Sequence, residues 1–328
     1  MSKKNSEELV LPEPQEQLLK RFLEEYDYLS WMTRVTVLKL LIQRPELVSQ
    51  ARGRLLSILD NPSLSLSDES IVDRMKMDLH FTAYHSTEAL LALIFALVVD
   101  PELPWLYLTR YTSSDLNQMV SQLANKGLST FHSDEKLVAK ALFFNVAPGQ
   151  VDDLVEQSTE FTVEYIRELA RQFRDRQDYN SFKHGLRTMK PRVSSTSISS
   201  TNGKPILQWS ELATTYLEVG ARFETDGHMV RCIKLVSRAI DYEKSARIIE
   251  TNTHLVHNLL EIRMAQVTGR KEITLKLFDK ERNAFDILRR TKIGLSYDKM
   301  TISREPIETG YPPRNQRSTD RSADPVST

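Results

Sequence analysis

The stretch DESIVDRMKMDLHFTAYHSTEALLALIFALVV, residues 68–99, decides the fold. In its first half the apolar residues Val72, Met75, Leu79 and Ala83 recur at helical spacing, which gives an amphipathic helix one apolar face. Its last part is apolar on every side. A helix that is apolar all round is buried on several sides. The sequence therefore predicts a central helix over 68–99, with other helices packed around it.

Helical periodicity continues on both sides of this central helix. One of the neighbouring helices has Ser114 as a candidate N-cap and Gly127 as a candidate C-terminal stop. The fold class that we predict is mainly α (α+β), an up-and-down bundle of long helices. The predicted helices lie at about 15–44, 46–58, 68–99, 114–126, 134–145, 151–187 and 239–267.

The segment 188–237 interrupts the helical pattern. It is rich in β-branched and small polar residues, and Asp226-Gly227 stands between two strand-like runs, which is typical of a hairpin. A further strand could lie at 272–278. We therefore predict a small antiparallel sheet, over 188–237, inserted into a single helical domain that spans 15–303. The ends, 1–14 and 304–328, are poor in apolar residues and are expected to be disordered.

Composition excludes several classes of protein. Lys plus Arg and Asp plus Glu both number 44, so no global field favours nucleic acid or an anionic membrane. The single cysteine, Cys232, cannot form an intrachain disulfide, which suits a reducing cytoplasm. The apolar run at 89–99 is too short to span a bilayer, and the chain begins without an apolar signal. We expect a cytoplasmic protein with no membrane partner and, since no phosphate-binding glycine motif occurs, no cofactor.

The helix predicted over 151–187 changes character near its end. Its apolar stripe reaches Phe173, and at about 100° per residue the same line continues through Gln177, Asn180 and His184. A buried amide or imidazole without a partner costs about 1–3 kcal/mol, so other polar groups or solvent must meet these side chains. The basic residues that flank this line are Arg176, Lys183 and Arg187.

The central helix offers the polar groups that could meet this line. His85 and Glu88 lie one turn apart and adjoin its fully apolar part. One hypothesis is a functional cross-helix cluster. The other is a structural polar layer that fixes the register of the helices. The predicted binding residues are His85, Glu88, Asn180, Lys183, His184 and Arg187.

A second set of polar residues could suggest a metal site. Glu250, His254, His257 and Glu261 recur at helical spacing, and carboxylate and imidazole groups suit a transition metal. Their line lies about 130° from the apolar stripe of the same helix. We interpret it as a solvated face and predict no metal site.

The string RDRQDYNSFKHG, residues 174–185, resembles a motif of the HEPN superfamily of bacterial and archaeal helical-bundle proteins. Asn180, Lys183 and His184 match its N-x-x-K-H pattern, and the resemblance covers the helices near 68–99, 151–187 and 239–267. Active members of that superfamily are metal-independent ribonucleases that use an Arg and a His. The resemblance implies that His184 acts as general acid or base while Arg176 or Arg187 stabilises charge on a phosphate, with Asn180 as a further catalytic candidate.

The spacing of the Arg residues departs from that pattern. Positions 177–179, where the Arg of the family falls, are Gln, Asp and Tyr, and Arg176 is one position too far from His184. The sequence therefore favours a HEPN-like binding or interaction module with a polar cleft at the end of the long helix, and RNA or a protein as candidate partners. The alternative is a metal-independent ribonuclease, or another phosphate-directed enzyme, that uses His184 and a nearby Arg.

Overall fold

A computed structural model of the chain describes residues 14–59, 67–145, 153–183, 188–199, 205–225, 228–270, 272–278 and 297–301. Within them the protein is mainly helical with one small antiparallel sheet, which confirms the predicted fold class. The ends predicted to be disordered lie outside the described residues, apart from Pro14.

The helices are mostly those that periodicity predicts. The segment predicted as one helix over 15–44 is two helices, because the chain leaves the helical conformation at 26–27. A 3-10 turn at Gly127–Thr130 and a π-helical turn at Lys140–Phe144 connect helices on one side of the bundle. The α-helices are α1 (Gln15–Glu25), α2 (Leu29–Gln43), α3 (Pro45–Leu59), α4 (Asp68–Val99), α5 (Pro104–Arg110), α6 (Ser113–Lys126), α7 (Glu135–Ala139), α8 (Asp153–Arg174), α9 (Gln177–Lys183) and α10 (Tyr242–Thr268).

The central helix of the bundle is α4, as predicted. Its bounds match the predicted range, and the hydroxyl of Ser67 caps it by accepting the amide of Ser70 at 3.2 Å. Leu90, Leu93 and Ile94 are completely buried. α4 packs against α10, α2 and α8, so its apolar half is enclosed on several sides.

α4 is the one helix of the described part of the chain that is long and apolar enough to cross a membrane. The core helix of a bundle meets the same criteria of length and composition. In this protein 67% of its most apolar window is buried against other elements.

A buried polar network joins α4, α8 and α10 in the middle of the core. The Asn252 amide nitrogen donates to the hydroxyls of Ser86 (3.0 Å) and Thr87 (3.1 Å). The Tyr165 hydroxyl donates to the Asn252 side-chain oxygen at 2.9 Å. All four side chains are buried, so the network fixes the register of three helices through bonds that only one arrangement can make.

The sheet has four strands in the order β1-β2-β3-β4, and all neighbours are antiparallel. β2 and β3 form the predicted hairpin: Thr225 pairs with His228, and Asp226-Gly227, which lie outside the described residues, fall between them. The sheet thus occupies the predicted insertion and adds a strand from the C-terminal part of the chain. The strands are β1 (Thr188–Ser199), β2 (Pro205–Thr225), β3 (His228–Ala239) and β4 (Tyr297–Thr301).

Residues 272–278, which could have added a strand, form no strand and lie against helices instead. The side chain of Asn258 on α10 both accepts from the Lys276 amide and donates to its carbonyl, each at 2.8 Å. Ser158 on α8 does the same for the backbone of Phe278, at 2.8 and 3.1 Å. Two helical side chains therefore provide the hydrogen bonds that a neighbouring strand would provide.

Candidate functional site

The helix predicted over 151–187 is interrupted at 175–176, and this corrects the predicted site. The Arg238 side chain on β3 donates to the Asp175 carbonyl at 2.6 Å and to its carboxylate Oδ2 at 2.8 Å. In a continuous helix this carbonyl would accept the backbone amide four residues later, but here it accepts a guanidinium instead. α8 ends at Arg174, and α9 begins at Gln177.

The interruption changes which side chains face the bundle. The predicted line ran through Gln177, Asn180 and His184, but Gln177 is exposed and Asn180 is only half-buried. Among the α9 side chains that the structure describes, Tyr179 and Ser181 are buried. His184 and Arg187 lie outside the described residues, so their predicted roles stay predictions.

Two predicted residues do meet across the bundle. Lys183 on α9 forms an ion pair with Glu88 on α4, with Nζ 2.6 Å from Oε2. The hydroxyls of Tyr179 and Tyr111 are also hydrogen-bonded to the Glu88 carboxylate, the latter at 3.4 Å. These four residues, here called the Glu88 cluster, connect α4 with α9 and with the residue that follows α5.

The electrostatics of the Glu88 cluster keep both phenols protonated. Burial raises the pKa of Tyr179 well above its ordinary range, and the neighbouring Glu88 carboxylate raises it further. The pKa of Tyr111 is raised by the same two causes. Each phenol is therefore a hydrogen-bond donor to Glu88 at neutral pH. With Lys183 added, the carboxylate is satisfied by groups of its own chain, which is the geometry of a structural layer.

His85 lies one turn before Glu88, near the edge of this cluster. It is exposed on one side, and its ring packs edge-on against Trp31 with the centroids 6.2 Å apart. Burial lowers its pKa, Lys183 and Arg34 lower it further, and Glu88 opposes them. The imidazole is therefore neutral over most of the physiological pH range.

Arg176, predicted to lie near the rim of the site, is buried instead. Its guanidinium donates to the side-chain oxygen of Asn117 and to the Phe173 carbonyl, the latter at 3.4 Å. It also lies over the Phe173 ring, 4.6 Å from the centroid. In this position Arg176 joins α6 to the junction of α8 and α9, and its guanidinium does not face solvent.

A cleft of about 490 Å³ opens at the C-terminal end of α8, between α4, α8, α10 and β3. We call its buried lining residues the floor and its more exposed lining residues the rim. The floor is mostly apolar and consists of Ala83, Thr87, Leu169, Phe173, Ser245 and Ile248. The rim is mostly polar and consists of His80, Tyr84, Arg171, Gln172, Asp175, Arg238, Ala239, Asp241 and Lys244.

The charged groups of the rim are held in place by hydrogen bonds. Lys244 Nζ donates to the Gln172 side-chain oxygen at 2.8 Å. Asp241 is the N-cap of α10 and accepts the Lys244 amide at 2.9 Å. Arg171 donates through Nε to the Ala124 carbonyl at 3.1 Å. The rim is therefore organised before any ligand arrives.

Sequence reasoning placed a cleft at the end of the long helix but named other residues for it. The helical spacing of His80 and Tyr84 puts both on one side of α4, and this spacing was the local signal that could have indicated the cleft. Arg238 lies on β3 and Lys244 on α10, and no local pattern connects either of them with α8. They reach the cleft because β3 returns the chain to the end of that helix.

Among the described residues, no group of three or more His, Cys, Asp or Glu side chains could hold a metal ion. The face predicted to be solvated on α10 is partly covered. His257 Nδ1 is 2.8 Å from the Tyr28 hydroxyl, and its Nε2 is 2.9 Å from the Thr274 carbonyl. Since a carbonyl can only accept, Nε2 carries the proton and His257 holds the 272–278 segment to the bundle.

Comparison with protein-family models, with curated proteins and with solved structures found no match. The resemblance to the HEPN superfamily and the cytoplasmic location therefore stay predictions, and the function is argued from the site.

Proposed function

We propose that this protein is a binding module, without catalytic activity of its own, that holds a small molecule in the cleft at the end of α8. The observation that carries the proposal is the cleft itself. Its volume of about 490 Å³ lies within the range of small-molecule sites. It combines an apolar floor with a few fixed polar groups at the rim, which is the usual chemistry of such sites.

The hydroxyl groups of the floor favour binding over covalent chemistry. The Ser245 hydroxyl donates to the Asp241 carbonyl at 2.8 Å, and the Thr87 hydroxyl donates to the Ala83 carbonyl at 2.8 Å. Nucleophilic catalysis needs a hydroxyl bonded to a base, and a backbone carbonyl is not one. Both hydroxyls are therefore bonded to nearby backbone carbonyls and are not activated as nucleophiles.

The ribonuclease alternative has less support from the described residues. Its arginine has to stabilise charge on a phosphate, but the guanidinium of Arg176 is buried against Asn117 and Phe173. His184 and Arg187 lie outside the described residues, so the alternative rests on the resemblance alone.

The binding proposal can be tested with N-phenyl-1-naphthylamine, a neutral apolar probe whose fluorescence rises in an apolar site. We expect saturable binding of one probe per chain. Ala83→Phe fills the floor of the cleft and should abolish the signal, and Ala239→Leu narrows the rim and should weaken it. The second variant keeps the test valid where the buried Ala83→Phe change prevents folding.

A matched control is available in a separate cavity of about 360 Å³, here called the His257 cavity, which lies beside His257. Met264→Phe fills part of that cavity and should leave probe binding unchanged. Binding that survives both cleft variants, or that is lost in Met264→Phe, would show that the cleft is not the site.

A further inference from the structure

We infer that the ligand of the cleft is an amphipathic anion, a flat apolar body that carries one carboxylate or phosphate group. The inference rests on the proposed function and adds the chemical class of the ligand. Three observations carry it: the charge of the rim, the exchangeable partner of Arg238, and the aromatic side chains beside it.

The rim has more positive than negative side chains. Three cations line it, Arg171, Arg238 and Lys244, against the two carboxylates of Asp175 and Asp241. Arg171 is paired outside the rim, because its Nη1 lies 3.6 Å from Glu168 Oε2, so Arg238 and Lys244 are the cations that a ligand can use. The Asp241 carboxylate is already used, because it caps α10. The anionic group of a ligand would be attracted by Arg238 and Lys244, whereas a cation would be repelled by both.

Arg238 and Asp175 are paired, but they differ in how much water reaches them. The side chain of Arg238 is 21% exposed, and that of Asp175 is 73% exposed. Asp175 can therefore exchange its partner for water at little cost, while the more buried guanidinium needs an anion. An incoming carboxylate or phosphate can replace Asp175 Oδ2 on Nη2, and Nη1 keeps its 2.6 Å bond to the Asp175 carbonyl.

Aromatic side chains define the space next to this guanidinium. The Tyr84 hydroxyl is 3.5 Å from Arg238 Nη1, which places the ring of Tyr84 beside the anion position. Tyr84 and Phe173 lie with their centroids 5.9 Å apart, and His80 packs edge-on to Tyr84 at 5.1 Å. A flat ring can pack against such edges and faces while its anionic group reaches Arg238.

The class of ligand can be tested with four naphthalene derivatives of one shape: 2-naphthoate, 2-naphthyl phosphate, the neutral 2-naphthamide and the cationic 2-naphthylmethylammonium. Affinities are measured on the full chain by calorimetry, or by displacement of the neutral probe. We expect the anions to bind about tenfold more tightly than the amide, and the ammonium to bind most weakly. The better anion identifies the head group as carboxylate or phosphate.

Two substitutions should change the affinity for the anions in opposite directions. Arg238→Gln should reduce it about tenfold, to that of the amide. Asp175→Asn removes the competing carboxylate, so anions should bind several-fold more tightly. Binding of the amide should stay the same in both variants. Arg270→Gln, at the His257 cavity, is the matched control and should change neither affinity.

The outcomes separate the two proposals. Equal binding of the anions and the amide, or tightest binding of the ammonium, overturns the inference and leaves the proposed function in place. A failure of every derivative and of the neutral probe overturns both. Unchanged or weaker anion binding in Asp175→Asn contradicts the exchange at Arg238, and this variant remains informative where Arg238→Gln does not fold.

Discussion

Asn252 occupies the centre of the buried polar network, and its replacement by alanine should destabilise the protein by about 3 kcal/mol. The side chain makes three hydrogen bonds, to Ser86, Thr87 and Tyr165. A buried hydrogen bond contributes about 1 kcal/mol net. In the variant the Ser86 hydroxyl still donates to the Ala83 carbonyl at 3.0 Å. This hydroxyl is therefore not left without a hydrogen-bond partner and adds no further cost.

The group that loses most in Asn252→Ala is the Tyr165 hydroxyl. It also donates to the Ile248 carbonyl, but at 3.4 Å, compared with 2.9 Å to Asn252. Tyr165→Phe alone should cost about 1–2 kcal/mol, because the oxygen of Asn252 then lacks its donor. In the double variant the shared bond is lost only once, so the combined cost should be smaller than the sum of the two single costs.

The measurement is urea unfolding of the full chain, followed by far-ultraviolet circular dichroism. Gln118→Ala removes an exposed amide from α6 and should change stability by no more than about 0.5 kcal/mol. A cost below about 1 kcal/mol for Asn252→Ala, or additive costs in the double variant, would refute the view that these side chains act as one network.

Two further predictions concern other parts of the molecule. Gly127→Ala should destabilise by about 1–2 kcal/mol, because φ is +59° and the added Cβ would lie 2.7 Å from a Glu135 oxygen. Gly53→Ala, in the interior of α3 with open space around it, should instead stabilise by about 0.5–1 kcal/mol, and urea unfolding of both variants checks the contrast. The pKa of His85 should lie below its ordinary value of 6.5, so its contribution to stability is present above that pH and is lost as pH falls through the folded-state pKa. In Glu88→Gln the pKa should fall further, because the carboxylate no longer stabilises the charged ring, and an NMR titration that finds it raised would contradict this.

The elements that sequence could predict are those fixed by local patterns. The bounds of α4 follow from its apolar periodicity, and the stop of α6 follows from Gly127, which adopts the expected positive φ. The predicted N-cap, Ser114, was wrong by two residues. Thr112 caps α6 because Asp115 bonds back to its amide and completes a capping box, and Ser114 has no such partner at the same spacing.

The break between α8 and α9 has no comparable local signal. Residues 151–187 keep a helical pattern through Asp175, so periodicity alone favours one long helix. α8 ends because a side chain from β3, Arg238, donates hydrogen bonds to both the carbonyl and the carboxylate of Asp175. A contact between residues so far apart in the chain depends on the tertiary fold, so helical periodicity cannot predict it.

The break before α9 affected short and long side chains differently. Lys183 and Glu88, which the sequence placed in one set of binding residues, do meet, because a long flexible side chain can still reach across after the break in the helix. Asn180 is short and is only half-buried. α9 is consequently held at both ends, by Arg238 on Asp175 just before its start and by Glu88 on Lys183 at its last residue. An anion that displaces the Asp175 carboxylate from Arg238 would leave the bond to the Asp175 carbonyl and the whole Glu88 cluster in place. Ligand exchange at the rim can therefore occur without release of α9, and this is why Asp175→Asn should tighten binding of the anions without loss of helix.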